Sequence, residues 1–487
     1  MNKDLLKLTP AAIWKHFHQL TQIPRPSKHE DAIQAYIYQF GKDLGLETEK
    51  DAVGNIIIRK PATPGMENRQ GVVLQGHLDM VPQKNSDKVH DFTKDPIEAY
   101  IDGEWVKANG TTLGADNGMG VAAAMAVLEA TDLVHGPVEA LFTSDEETGM
   151  TGANNLQPNW LKGDILINMD SEDEGELYVG CAGGEDANIL FTFENEAIPE
   201  GYEAFQLSIT GLKGGHSGMD IILGRGNANK LFFRFMKDAY LDFDVRLASV
   251  QGGSLRNAIP REAFGTILVT TEYVNDLKNF LQKFTQTVQS ELAETEPDLK
   301  ISLTPTDMPE SLMDENTQIN LTDAIMACPD GVIRMSDSMP GLVETSTNLA
   351  IVRSEDNNIY VSCLMRSSVD SAKTYLASRI ESLFNLAGAN VDLAGAYPGW
   401  KPNMNSPILK VMQDVYNQRF GKVPEIKAIH AGLECGILGA AYPNWDMISF
   451  GPTIRFPHSP DEKVHIGSVE KFWEFLVETL KNVPAKA

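Results

Sequence analysis

With 487 residues, of which 42% are hydrophobic and 22% charged, the chain is too long for one compact core and too apolar for disorder, which leaves a folded protein of several lobes. Its 67 acidic and 41 basic residues give a formal net charge of -26, a field that repels phosphate backbones and anionic membrane surfaces, so neither nucleic acid nor membrane is an expected partner. The opening MNKDLLKLTPAAIWKHF has scattered charges instead of a signal-peptide core, and the four cysteines Cys181, Cys328, Cys363 and Cys435 lie far apart without a CxxC spacing, which predicts a reducing, cytoplasmic setting.

Thr9 and Pro10 are placed to cap and start a helix, and Ser27 with Glu30 reads as a capping box before Ile33, Tyr36, Ile37, Phe40 and Leu44 at helical spacing. Short apolar runs of the buried-strand kind follow at 55–58, 72–74, 138–142 and 165–167, with a helix over 118–130 between them. That rhythm predicts an α/β layer around a mixed sheet flanked by helices. From about residue 186 the texture changes to alternating strands, as at Phe205, Leu207 and Ile209, over 263–271, and at Ile359, Val361 and Cys363. Amphipathic helices over 276–293 and 371–387 are interleaved with them, so this stretch reads as a separate α+β lobe. Buried-strand texture returns at 447–450, and a final helix capped near Ser468 places Val469, Phe472, Trp473, Leu476 and Leu480 on one face. The expected organisation is a discontinuous α/β domain, 1–185 and 395–487, interrupted by an α+β insertion over 186–394.

Acids and histidines gather where the apolar strands end. In Gly76-His77-Leu78-Asp79, two side chains two residues apart on extended backbone point the same way, so His77 can bind a metal while Asp79 takes its other ring proton; a surface His beside an Asp is the plain alternative. Asp116, between glycines in Gly114-Ala115-Asp116-Asn117-Gly118, is either a helix N-cap or a carboxylate bridging two cations, with glycines that let backbone approach something bound. Three consecutive acids, Asp145-Glu146-Glu147, are costly at a strand end unless neutralised; one can ligate metal while its neighbour works as general base. Asp170 ends a fourth run, and His458 sits between Pro457 and Ser459-Pro460 in a rigid loop. Carboxylates and imidazoles without thiolates suit catalytic zinc, cobalt or manganese. Any one cluster has a bland explanation; five of them, each after a strand, do not.

The order HLD, GADNG, DEETG, NMDSE and PHS resembles the co-catalytic two-zinc peptidase family that includes peptidase T, carnosinases and acetylornithine deacetylase. The blocks GHLDMVPQKN, DFTKDPI, GCAGG, LKGGHSG, LRNAIPREAF, HAGLECG and PHSPDE extend the similarity over essentially the whole chain, to a bacterial dipeptidase branch of that family acting on aminoacyl-histidine. The resemblance implies a discontinuous two-zinc exopeptidase-type catalytic domain with an inserted lid and dimerisation domain. It implies that Asp116 bridges two divalent metal ions, zinc first and cobalt or manganese as alternatives, with His77 and Asp170 completing one site and Glu147 and His458 the other. Glu146 would be the general base beside a metal-bridged hydroxide, and Asp79 would orient His77. The implied reaction is hydrolysis of unblocked dipeptides, with histidine favoured at the carboxyl end and β-alanyl-histidine among the substrates.

His216, in Lys213-Gly214-Gly215-His216-Ser217-Gly218, is the candidate donor to a developing oxyanion, since flanking glycines allow close approach to substrate; a surface turn histidine is the alternative. In dimeric relatives the equivalent histidine comes from the partner subunit, which implies a homodimer. Asn257 and Arg366 are candidate binders of the oxyanion or the peptide carboxylate, and Gly432 with Glu434 of the peptide's amino end. Cys435 and Cys181 lack an oxyanion-rich elbow and read as buried structural thiols. A tripeptidase or an amidohydrolase releasing an acyl group shares the same metal core. A non-enzymatic peptide binder is the other alternative, disfavoured by the intact Glu146.

Overall fold

The computed structural model describes residues 4–486. Its chain forms two compact units: the first runs through Gly180 and resumes over Trp400–Ala428 and from Leu433, and the second comprises Cys181–Gly399 with the short return Ile429–Gly432. The expected insertion, 186–394, omits that return, because a four-residue loop segment carries no periodic signal of its own.

The first unit is built on an eight-stranded mixed sheet in the order 47–50, 56–60, 138–143, 72–77, 165–168, 446–449, 176–181, 425–429. Val72–His77 runs parallel to Val138–Thr143 and to Ile165–Asn168, and Asp446–Ser449 runs parallel to Ile165–Asn168. Val72–His77, Val138–Thr143 and Ile165–Asn168 are buried at every position, as central parallel strands covered on both faces must be, which is why they read as continuous apolar runs. A smaller four-stranded sheet joins Ala99–Asp102, Trp105–Ala108, Lys463–His465 and Ile454–Arg455.

The second unit is a nine-stranded sheet whose named pairs are all antiparallel. Its core gathers Phe232 and Phe235 from the helix Ala228–Phe243, Phe284 from Val274–Glu291 and Phe384 from Asp370–Leu386. Half-buried strands of this kind alternate in burial, as Tyr202–Thr210 and Ala263–Thr270 do over most of their length.

Three expected caps are corrected. The helix Asp31–Asp43 has no side-chain cap at its start; Ser27 instead donates to the Asp79 carboxylate, and Glu30 accepts the amides of Lys28 and Asp145. The helix Ala11–Thr21 follows Pro10 with no side-chain cap, and the Thr9 carbonyl takes the Trp14 indole N–H. The last helix, Ile466–Asn482, is capped by the His465 ring, whose Nδ1 accepts the Ser468 amide. For Ser27 and Glu30 tertiary partners outcompete the local pattern, whereas the Thr9–Trp14 and His465–Ser468 bonds are themselves local.

All four cysteines are buried and none forms a disulfide, Cys328 and Cys363 lying with Sγ atoms 4.0 Å apart. No helix among the described residues is long and apolar enough to cross a membrane.

Candidate metal centre

In a parallel sheet the side chains that follow the carboxyl ends of neighbouring strands converge on one edge. His77 is the last residue of its strand, Glu146 and Glu147 follow Val138–Thr143, and Asp170 follows Ile165–Asn168. His458 follows the fourth parallel strand, Asp446–Ser449, through a hairpin loop.

Asp116 stands at the centre. Its Oδ1 lies 3.1 Å from His77 Nε2 and its Oδ2 lies 3.2 Å from His458 Nε2, so one carboxylate faces both imidazoles. Asp170 Oδ1 is 3.4 Å from the same His77 nitrogen, and Glu147 Oε2 is 3.0 Å from that of His458. His77, Asp116 and Asp170 form one donor group within 4.8 Å, and Asp116, Glu147 and His458 a second. Asp116 does not cap its helix: Gly114 occupies the N-cap position, and Asp116 itself is non-helical at φ -80°, ψ 114°, which frees its carboxylate.

The flanking glycines make room for the protein's own atoms. A Cβ at Gly118 would come within 3.0 Å of Phe17 and one at Gly120 within 2.5 Å of the Met169 carbonyl, so the first glycine lets this helix pack on the helix Ala11–Thr21 and the second on the segment that delivers Asp170. Asn117 donates to the Met169 carbonyl at 2.7 Å and to the Asp170 carboxylate.

Charge fits the geometry. Among the described residues no lysine or arginine pairs with Asp116, Glu147 or Asp170; the ion pairs they make are with the two histidines. Hydrogen bonds from the His458 ring to the Asp116 and Glu147 carboxylates push that ring up to about 11. Burial pushes Asp170 up to about 6 against the pull of His77. Burial likewise drives Glu146 well above the usual carboxylate range, aided by Asp170, Glu434 and Glu147 and opposed by His77. Glu147 Oε1 is buried with no hydrogen-bond partner among the described residues. Carboxylates crowded on two imidazoles, with an orphaned oxygen and no fixed cation, suit divalent metal ions.

Asp79 and Asp145 divide the remaining work. Asp79 Oδ1 lies 3.2 Å from His77 Nδ1, and its two oxygens accept the amides of Glu146 and Glu147 at 3.0 and 3.2 Å. Burial raises the Asp79 carboxyl, but His77 and these donors outweigh it and hold it at about 2. Asp145 adopts left-handed backbone at φ 51° and spends its carboxylate on the hydroxyls of Thr148 and Thr151, leaving Glu146 and Glu147 to the centre.

Glu434 is fully buried in the same unit, where its Oε2 accepts from Gln75 and from Thr143 at 2.9 Å, and burial pushes it up to about 7. Gln75 and Asn168 are each two residues before a metal-centre residue, and Asn168 donates to Gln75 and accepts from Ser449. Sequence reasoning passed over Gln75 and Asn168, although polar residues inside apolar strand runs were a readable signal.

His216, Asn257 and Arg366 belong to the second unit and meet at Ser217, which sequence reasoning also passed over. The Ser217 amide donates to the Asn257 carbonyl at 2.8 Å, and Arg366 Nε donates to the Ser217 hydroxyl at 3.4 Å. His216 Nδ1 accepts the amides of Gly218 and Met219 at 3.2 and 3.0 Å, which leaves the proton on Nε2, and burial with the nearby Arg366 lowers its pKa. His216 is thus a neutral N–H donor. Arg366 is buried and Asn257 exposed, and Gly432 is half-buried in the short return of the second unit.

The model of peptidase family M20/M25/M40 matches residues 73–482. The chain is 52% identical over 483 residues to the cytosol non-specific dipeptidase of Escherichia coli, covering 99% of this chain and all of that one. The crystal structure of an aminoacylhistidine dipeptidase from Vibrio alginolyticus superposes with a TM-score of 0.96 at 50% identity, with full coverage of both chains. Aminopeptidase PepT from Bacillus cereus shares the fold at a TM-score of 0.58 and 15% identity, over 98% of this chain and 99% of its own. The chain belongs to peptidase family M20/M25/M40.

Proposed function

We propose that the chain is a cytoplasmic, homodimeric, metal-dependent dipeptidase that hydrolyses unblocked dipeptides and favours histidine at the carboxyl end. The observation that carries the reading is the Asp116 carboxylate, with one oxygen against each of His77 and His458. The two relatives of about half identity support it from outside, one named a non-specific dipeptidase and the other an aminoacylhistidine dipeptidase. The first name supports breadth and the second the histidine preference.

In this reading His77, Asp170 and Asp116 hold one divalent ion, and Asp116, Glu147 and His458 the other, zinc being the first choice. Bound there, two such ions supply Lewis acidity that acidifies water and polarises a carbonyl. Glu146 accepts the proton of the attacking water and returns it to the leaving amine, a task suited to a carboxyl whose burial keeps it basic. Asp79 fixes the tautomer of His77 from one side and the backbone of Glu146 from the other. The Nε2–H of His216 stabilises the oxyanion, Arg366 and Asn257 take the peptide carboxylate or the oxyanion, and Glu434 with Gly432 receives the amino end. The second unit acts as lid and dimerisation domain.

The test is a substrate panel with purified, zinc-reconstituted protein: β-alanyl-histidine, other X-His dipeptides, dipeptides lacking histidine, tripeptides and N-acetyl amino acids. Cleavage confined to dipeptides, with higher kcat/KM for X-His, supports the reading. Equal or better turnover of tripeptides or N-acetyl amino acids contradicts it.

A further inference from the structure

Glu462 belongs to neither donor group, yet it joins two of the loops that deliver them. Its Oε2 accepts the amides of Leu113 and Gly114 at 2.7 and 2.9 Å, and its Oε1 those of Ala115 and Asp116 at 2.7 and 3.2 Å. Four consecutive amides converging on one carboxylate fix the path of a loop far more tightly than a single bond. The loop so held ends in Asp116. Glu462 itself lies four residues after His458, in the hairpin loop between Ile454–Arg455 and Lys463–His465.

That hairpin loop needs holding. Phe456 and His458 both have left-handed backbone, at φ 56° and 58°, a conformation that non-glycine residues keep only where the surroundings impose it. The His458 side chain is 52% exposed, so packing does not hold it in place, whereas Glu462 is 2% exposed. The Glu462 amide also donates to the Ser459 carbonyl at 3.0 Å, which ties the carboxylate's own backbone to the residue next to His458. From the other side the buried Arg25 donates to the carbonyls of Leu78, Asp79 and Gly114, and so joins the His77–Asp79 segment to the same Leu113–Asp116 loop. Acceptors for the first amides of a helix could come from water. What singles out Glu462 is that its carboxylate comes from the His458 loop, so one group sets the distance between two donors of the second metal site.

We infer that Glu462 is a positioning residue for the second metal site, clamping the His458 loop onto the Asp116 loop so that both donors stand ready for one cation. The inference rests on the ligand assignment proposed above. Partners one step removed from a metal typically change its affinity by about 10- to 100-fold when lost.

The test compares zinc affinity and stoichiometry, and the visible spectrum of the cobalt-loaded protein, in wild type, Glu462→Gln, Glu462→Asp and His458→Ala. Glutamine keeps one acceptor oxygen and turns an N–H₂ toward amides that need an acceptor; aspartate keeps the charge on a shorter arm. The expected result is that both Glu462 variants bind one zinc as tightly as wild type and the other about 10- to 100-fold more weakly, with an altered cobalt spectrum and with turnover restored by excess zinc. Wild-type affinities and spectra in the Glu462 variants overturn the inference, as does equal weakening of both ions or failure of both variants to fold, which makes Glu462 a general fold stabiliser. If His458→Ala also keeps two tight ions, the ligand assignment itself has failed, and the outcome is distinct.

Discussion

Asp79 holds Glu146 by its main chain: Asp79 Oδ1 accepts the Glu146 N–H at 3.0 Å, while the same oxygen lies 3.2 Å from His77 Nδ1. One carboxylate therefore orients both a proposed ligand and the proposed base. Asp79→Asn offers a single acceptor oxygen where two are used, so the variant is expected to lose about 10- to 100-fold in kcat with KM little changed. Steady-state kinetics at saturating zinc checks this, and a variant with wild-type kcat would remove Asp79 from the catalytic account.

Gln75 links Glu434, Thr143 and Asn168 in the interior of the first unit. Gln75→Leu leaves the buried Asn168 N–H₂ without its partner, a cost of about 1–3 kcal/mol, and takes from the Glu434 carboxylate one of its two donors, Thr143 remaining, a charged hydrogen bond of about 1.5–3 kcal/mol. A loss of about 2–4 kcal/mol in urea unfolding at fixed zinc is expected. A loss under about 1 kcal/mol would show that water or repacking satisfies both groups.

Asp330, in the second unit, is pushed up to about 6 from its ordinary 3.8 by burial, against the pull of the Leu349 amide, Lys230 and Asn227. Between those two values the native state holds a proton that the unfolded chain has released, so this group's contribution to stability falls as pH rises through the window. Asp330→Asn removes the titration while keeping an acceptor for Leu349 and Asn227. The stability of the variant relative to wild type should therefore climb from about pH 4 to about pH 6 and level off above, as read by denaturant melts at several pH values. A flat difference across that range contradicts the assignment.

Metal removal should be felt in stability as well as activity. An ion that binds only the native state at about 100 times its Kd contributes about 2.7 kcal/mol. Chelation is expected to lower Tm and abolish turnover, and zinc to restore both. A Tm indifferent to chelator would mean that the donor groups hold no metal.

His77, Glu147 and Asp170 were legible because each follows an apolar parallel strand, and such strands deliver their ends to one edge; Asp116, at the start of the helix Ala115–Glu129, and His458, in a hairpin loop, lie within reach of them. The residues that hold them were not. Ser27 and Glu30 look like a capping box in isolation, and only the fold shows that they serve Asp79 and Asp145. Glu462 binds the Asp116 amide across 346 positions of chain, a separation at which no local pattern exists. The glycines around Asp116 were readable as places of close approach, but what approaches is Phe17 and the Met169 carbonyl. Ser217, which gathers His216, Asn257 and Arg366, is a small residue whose role depends wholly on what surrounds it.

The most direct test of the central claim is Glu146→Gln, assayed on β-alanyl-histidine and ordinary dipeptides with zinc content measured in the same preparation. Loss of about 10²- to 10⁴-fold in kcat with two zinc ions still bound is the result predicted for a residue that moves the proton without holding the metal. Wild-type turnover, or loss of zinc in step with loss of activity, would contradict it.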